Sequence, residues 1–147
     1  MSLAELIARI SQSGAKMALI VTLWKGNPRL IQFVSPTGED LLTLKIESAA
    51  LRREVSSFKG PRIVSVGAVT VGKESSSVTK HFAGFIAALM DHEVVESESP
   101  NPVGREGSNM VEIRIEDLPG GKILWTHYHT LNAQEIGPRI RIVMIGR

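Results

Sequence analysis

The chain has 147 residues, 43% hydrophobic and 22% charged, the balance of an ordinary folded domain rather than a disordered segment. It has no cysteine, which excludes disulfides, cysteine-type zinc fingers, iron–sulfur clusters and thiol nucleophiles together. A formal net charge of +2, with pI ≈ 9.2, is too small by itself to name a polyanionic partner.

At the N-terminus, Ser2 and Glu5 form a capping box ahead of Leu3, Leu6, Ile7 and Ile10, and Gly14 supplies a stop. The expectation is an amphipathic helix over 3–13. The opening residues lack a basic region followed by a long apolar one, so no secretory signal is expected. Residues 17–24 are the longest apolar run, interrupted only by Thr22 and far short of the ~20 residues of a membrane span. That run reads as a buried strand and the protein as cytoplasmic. Turns at 25–28 and 35–38 separate it from strands over 29–34 and 41–46, giving an antiparallel meander.

Ser48 reads as the cap of a second helix over 49–58, stopped by Gly60-Pro61, and 62–71 reads as a fourth strand. A third helix is expected over 78–91, from Phe82, Phe85, Ile86, Leu89 and Met90 at spacings of three and four. Residues 97–109, with two prolines and two glycines, read as an exposed polar loop. Strands over 110–116, 122–130 and 139–145 close the chain, the first two joined by a hairpin through Pro119-Gly120-Gly121. The order αβββαβαβββ predicts a single α+β domain, 1–147, with a mainly antiparallel sheet.

No motif for catalysis stands out. Residues 66–73 hold glycines and a lysine without P-loop spacing, and neither a Gly-x-Ser-x-Gly elbow nor a His-Glu-x-x-His helix is present. His127-Tyr128-His129 resembles the metal-holding histidine pair of HUH nucleases. The one tyrosine of the chain lies between the histidines and points to the opposite strand face, so the nucleophile of that chemistry is missing. The expectation is no enzyme activity, no cofactor and no metal.

Binding is better supported. Arg52, Arg53, Lys59 and Arg62 belong to a locally basic stretch, and Arg139 and Arg141 share one face of the last strand, opposite Ile140, Ile142 and Met144. Trp125, His127 and His129 share one face of the strand before it, with Tyr128 on the other. Aromatic and guanidinium groups on an open sheet face make a stacking platform for unpaired bases. Trp24, Lys25 and Arg29, beside the first turn, extend that surface.

In size and layout the chain resembles the ThermoDBP-related proteins of hyperthermophilic archaea, with a short amphipathic N-terminal helix, a mostly antiparallel sheet, and basic residues beside apolar and aromatic ones. Three glutamines and four asparagines agree with a hot-living source. The resemblance implies a homo-oligomer that binds single-stranded DNA without sequence preference. Single-stranded nucleic-acid binding is therefore the expected function. The alternatives are an oligomeric structural or interaction protein that binds no nucleic acid, and a histidine-based metal-dependent enzyme.

Overall fold

The first helix, α1 (Leu3–Ser13), begins where a serine meets an apolar periodicity: Ser2 Oγ accepts the Glu5 N–H at 3.2 Å. It ends where Gly14 turns left-handed at φ 73°, a conformation glycine adopts without a Cβ penalty. The computed structural model of the chain describes residues 2–51, 65–98, 110–130 and 133–146. The chain divides into two compact units, Met1–Ser48 with Ile142–Arg147, and Ala49–Arg141.

In the first unit β1 (Ala18–Trp24), β2 (Asn27–Val34) and β3 (Asp40–Ala50) form the expected antiparallel meander. Register puts Leu19, Phe33 and Leu42 in one row and Val21, Ile31 and Leu44 in the next, all on one face. Phe33, Ile31, Leu44 and Ile46 are buried there, as is Ile10 of α1. At Gly38 (φ 92°) a Cβ would stand 2.8 Å from the Ile7 side chain, so the turn between β2 and β3 needs glycine both for its backbone and for the close approach of α1.

The second unit contains β4 (Ser65–Val71), α2 (Ser77–Leu89), β5 (Val94–Glu96), β6 (Met110–Leu118) and β7 (Lys122–His129). Its strands lie in the order β7-β6-β4-β5. β6 and β7 are an antiparallel hairpin, whereas β4 runs parallel to both β5 and β6. The segment β4-α2-β5 is thus a crossover unit, with the helix carrying the chain back so that the next strand can run parallel. The last strand, β8 (Arg139–Gly146), begins in this unit and ends in the first.

α2 covers one face of this sheet with Phe82, Ala83, Ile86 and Ala87, above Val69, Val71, Ile113, Ile115, Ile123 and Trp125. Its first turn is fastened to the end of β6. Asp117 accepts the Ser76 N–H at 2.8 Å and the Ser76 hydroxyl at 3.2 Å, and a short hydrogen bond from the Thr79 hydroxyl. Burial raises the Asp117 pKa, but these hydrogen bonds together outweigh it and hold the carboxyl below its ordinary value.

The α+β expectation holds at the level of a mixed fold with mostly antiparallel strands. Two of the three expected helices lie within the described residues. The helix expected over 49–58 does not start at Ser48: β3 continues through Ala49 and Ala50, and 52–58 lie outside the described residues. The parallel pairing of β4 and the short β5 were not expected, because three residues carry no periodicity. The 97–109 loop lies almost wholly outside the described residues. No described helix is long and apolar enough to cross a membrane.

Candidate nucleic-acid interface

The platform expected around β7 is closed. Trp125 is only 8% exposed and meets Phe82 of α2 edge-on, with ring centroids 5.6 Å apart and planes at 74°. His129, on the same face, is buried as well. Register explains why: Trp125 opposes Ile115, and His127 opposes Ile113, on the side that α2 covers. Neither Trp125 nor His129 is available to stack on a base. Among the described residues no three metal-ligating side chains converge.

His127 lies at the margin of that face, partly buried, with its ring 5.9 Å from Trp125. Its Nδ1 is 2.7 Å from the Pro138 carbonyl oxygen, so Nδ1 carries the proton and donates. Burial lowers the His127 pKa below 6.5, against smaller opposing pulls from the Pro138 carbonyl and Glu135. The sign follows directly. Below the unfolded value of about 6.5 the unfolded chain binds a proton that the folded chain refuses, so stability falls as pH drops through this window and levels off below the folded pKa. His127→Asn retains an amide donor near the Nδ1 position and does not titrate. Its thermal midpoint is expected to lose less than the unmodified protein between pH 7 and about pH 5. Parallel melting curves for the two proteins refute the assignment.

Tyr128 points to the other face, opposite Glu112, and pairs through its backbone with Glu135. It is half-buried, and burial raises its hydroxyl pKa. The last strand alternates as expected, with Ile140 and Ile142 buried and Arg141 exposed. Arg139 is committed elsewhere: Nε and Nη2 each meet a Glu135 oxygen at 2.8 Å, a bidentate fork whose hydrogen bonds raise the guanidinium pKa. Of this pair Arg141 alone remains open to a ligand. Arg52, Arg53, Lys59 and Arg62 lie outside the described residues.

The open site is at the tip of the first hairpin. Trp24 and Asn27 pair across the loop Lys25-Gly26, whose φ angles of 50° and 81° are both left-handed. That is the twist a two-residue hairpin needs, although glycine or asparagine, not lysine, normally fills its first position. Trp24 is 61% exposed at the base of this loop. Lys25 and Arg29 are exposed on either side of the turn. Lys45 joins them, because β3 pairs Lys45 with Leu30, and Leu30 in turn pairs with Thr22 on the Trp24 face. Among the described ion pairs none engages Lys25, Arg29 or Lys45. The hairpin thus presents one exposed indole with two uncommitted cations, Lys25 and Arg29, and Lys45 of β3 extends that sheet face. Lys45 escapes sequence reading because it is remote along the chain from Trp24, and only register puts it on the same sheet face.

No protein-family model matches the sequence, and no characterised relative matches it at the sequence level. Solved structures do share its fold. One is described as a probable ribosomal biogenesis protein from Aeropyrum pernix K1, with a TM-score of 0.66 and 20% identity, over 97% of this chain and 75% of that one. Another is Mil, an archaeal Imp4-like protein, with a TM-score of 0.59 and 18% identity, over 99% of this chain and 76% of that one. At such identities the likeness is one of fold. The expectation of a single-stranded-DNA-binding protein is overturned by these neighbours, one described as a probable ribosomal biogenesis protein and the other as Imp4-like. It lends no support to a purely structural oligomer.

Proposed function

We propose that this protein is an RNA-binding module of ribosome biogenesis, and that it binds rather than converts its ligand. The observation that carries the reading is the β1–β2 hairpin, an indole 61% exposed with Lys25 and Arg29 about the turn and Lys45 on the adjoining β3, on a fold shared with proteins described as ribosomal biogenesis and Imp4-like. Unpaired RNA suits this surface chemically. A base stacks on Trp24, contributing ~1–3 kcal/mol, while Lys25, Arg29 and Lys45 take neighbouring phosphates.

The chain has two tryptophans, one exposed and one buried, so quenching of the exposed indole reports contact directly. Titration of a labelled single-stranded RNA is expected to quench that emission, and affinity is expected to fall log-linearly with salt. Trp24→Ala should weaken binding by roughly 5- to 150-fold, in line with ~1–3 kcal/mol per stacked base. Replacing Lys25, Arg29 and Lys45 together by alanine should flatten the salt slope by about 2, from ~0.7 per phosphate on a single strand. Absence of RNA binding at low salt, or affinity and slope unmoved by both variants, would sink the proposal.

A further inference from the structure

β1 is an edge strand that no other described strand or helix covers on its outer side. Among the described strands it stands at the end of the order and pairs with β2 alone. Among the described residues nothing hydrogen-bonds to its outer row of backbone N–H and C=O groups along seven residues, Ala-Leu-Ile-Val-Thr-Leu-Trp. Edge strands of stable proteins are normally blunted by lysine, proline or an inward-facing charge. β1 has none of these; its nearest charges, Lys16 and Lys25, lie beyond its ends. On the face it shares with Phe33 and Ile31, Leu19 is 51%, Val21 45% and Leu23 60% exposed. Beside this row, Leu3 and Leu6 of α1 border an apolar cavity of about 410 Å³ together with Leu19 and Val21.

We propose that this edge pairs with the same edge of a second copy of the chain, β1 against β1 in antiparallel register about a two-fold axis at Val21. An open backbone edge selects an extended strand as its occupant. The residues select this particular strand. About Val21, Leu19 meets Leu23 of the partner subunit, Ile20 meets Thr22 of the partner subunit, and Ala18 meets Trp24 of the partner subunit, small against large. The pairing is isologous, so any charge within β1 would oppose charge near the axis. There is none, and Lys16 and Lys25 fall opposite the uncharged Gly26 and Met17 of the partner subunit. Leu23 of the partner subunit arrives beside Leu19, on the side where Leu3 and Leu6 leave the cavity. The contact would join the two inner faces into one continuous apolar row and carry two copies of the Trp24 hairpin, one at each end.

The proposal is independent of RNA binding, and its test needs no RNA. Sedimentation equilibrium of the full chain, from about 1 µM to about 100 µM, is expected to give a concentration-dependent mass rising to twice that of the chain. Val21→Lys places two ammonium groups against each other at the axis and should weaken association at least roughly tenfold. Because Val21 is 45% exposed in the single chain, the thermal midpoint at low concentration should change little beside the loss of association. Mixing Val21→Lys with Val21→Glu should restore the doubled mass, which pairing with any other strand would not do. A single-chain mass for the unmodified protein at about 100 µM, undiminished association of Val21→Lys, or no restoration by the mixture overturns it.

Discussion

Arg114→Ala is expected to cost about 3–5 kcal/mol of stability, a large part of the 5–15 kcal/mol that holds a typical domain together. The side chain is 1% exposed in the middle of β6. Its Nη2 donates to the Ser97 carbonyl at 2.8 Å, its Nη1 to the Thr70 hydroxyl at 3.3 Å, and its Nε lies 3.2 Å from a Glu116 oxygen. Thr70 passes the connection on, donating at 2.7 Å to Glu112, which is equally buried. Alanine removes the one cation of this network, takes a donor from the Ser97 carbonyl and from the Thr70 hydroxyl beside the buried Glu112, and breaks the Glu116 ion pair, besides removing the volume of the guanidinium. Breaking a buried ionic network from one side costs more than never having built it. The double variant Arg114→Met with Glu112→Gln should therefore recover much of the loss. Urea unfolding followed by circular dichroism measures both. A loss below about 1 kcal/mol for Arg114→Ala would mean the network contributes no more than exposed ion pairs do.

Trp125→Ala is expected to be comparably damaging, about 3–5 kcal/mol, because it empties the space under α2 and removes the edge-on partner of Phe82. Trp125→Phe keeps an aromatic ring in that place and should retain most of the stability. The decisive comparison joins stability to RNA affinity. Trp125→Phe should bind RNA as the unmodified protein does, whereas Trp24→Ala should melt as the unmodified protein does but bind weakly. The reverse pattern, with Trp125→Phe stable yet impaired in RNA binding, would return the stacking role to β7.

The local features of this chain were legible because their causes are local. Ser2, Glu5 and Gly14 delimit α1 to the residue, since capping satisfies helix-end groups from within a few positions. The apolar runs of β1, β2, β6, β7 and β8 and the stripe of α2 were visible for the same reason, as periodicity. Ser48 does not mark a helix start: β3 extends through Ala50, and the rest of the expected 49–58 helix lies outside the described residues. The parallel course of β4 beside β5 and β6 depends on partners distant in sequence, and nothing near Val69 announces Val94 or Ile113 as its neighbours.

The candidate site divides along the same line. Sequence alone determined which residues share a face: Trp125 with His127 and His129, Arg139 with Arg141, and Glu112 with Arg114 and Glu116. It could not determine which face is covered. Glu112-x-Arg114-x-Glu116 alternates as a solvent face would, yet Glu112 and Arg114 are buried, so that face of β6 is covered as well as the face beneath α2. Trp125, flanked by histidines, reads as the centre of the platform and Trp24 as its extension, beside a run that reads as a buried strand. The tertiary structure leaves only the extension: α2 seals Trp125, while β1 pairs with β2 alone among the described strands and Trp24 stays exposed. Alternation follows from the two-residue repeat of every strand, whereas burial depends on what packs against that strand, and only the folded chain decides that.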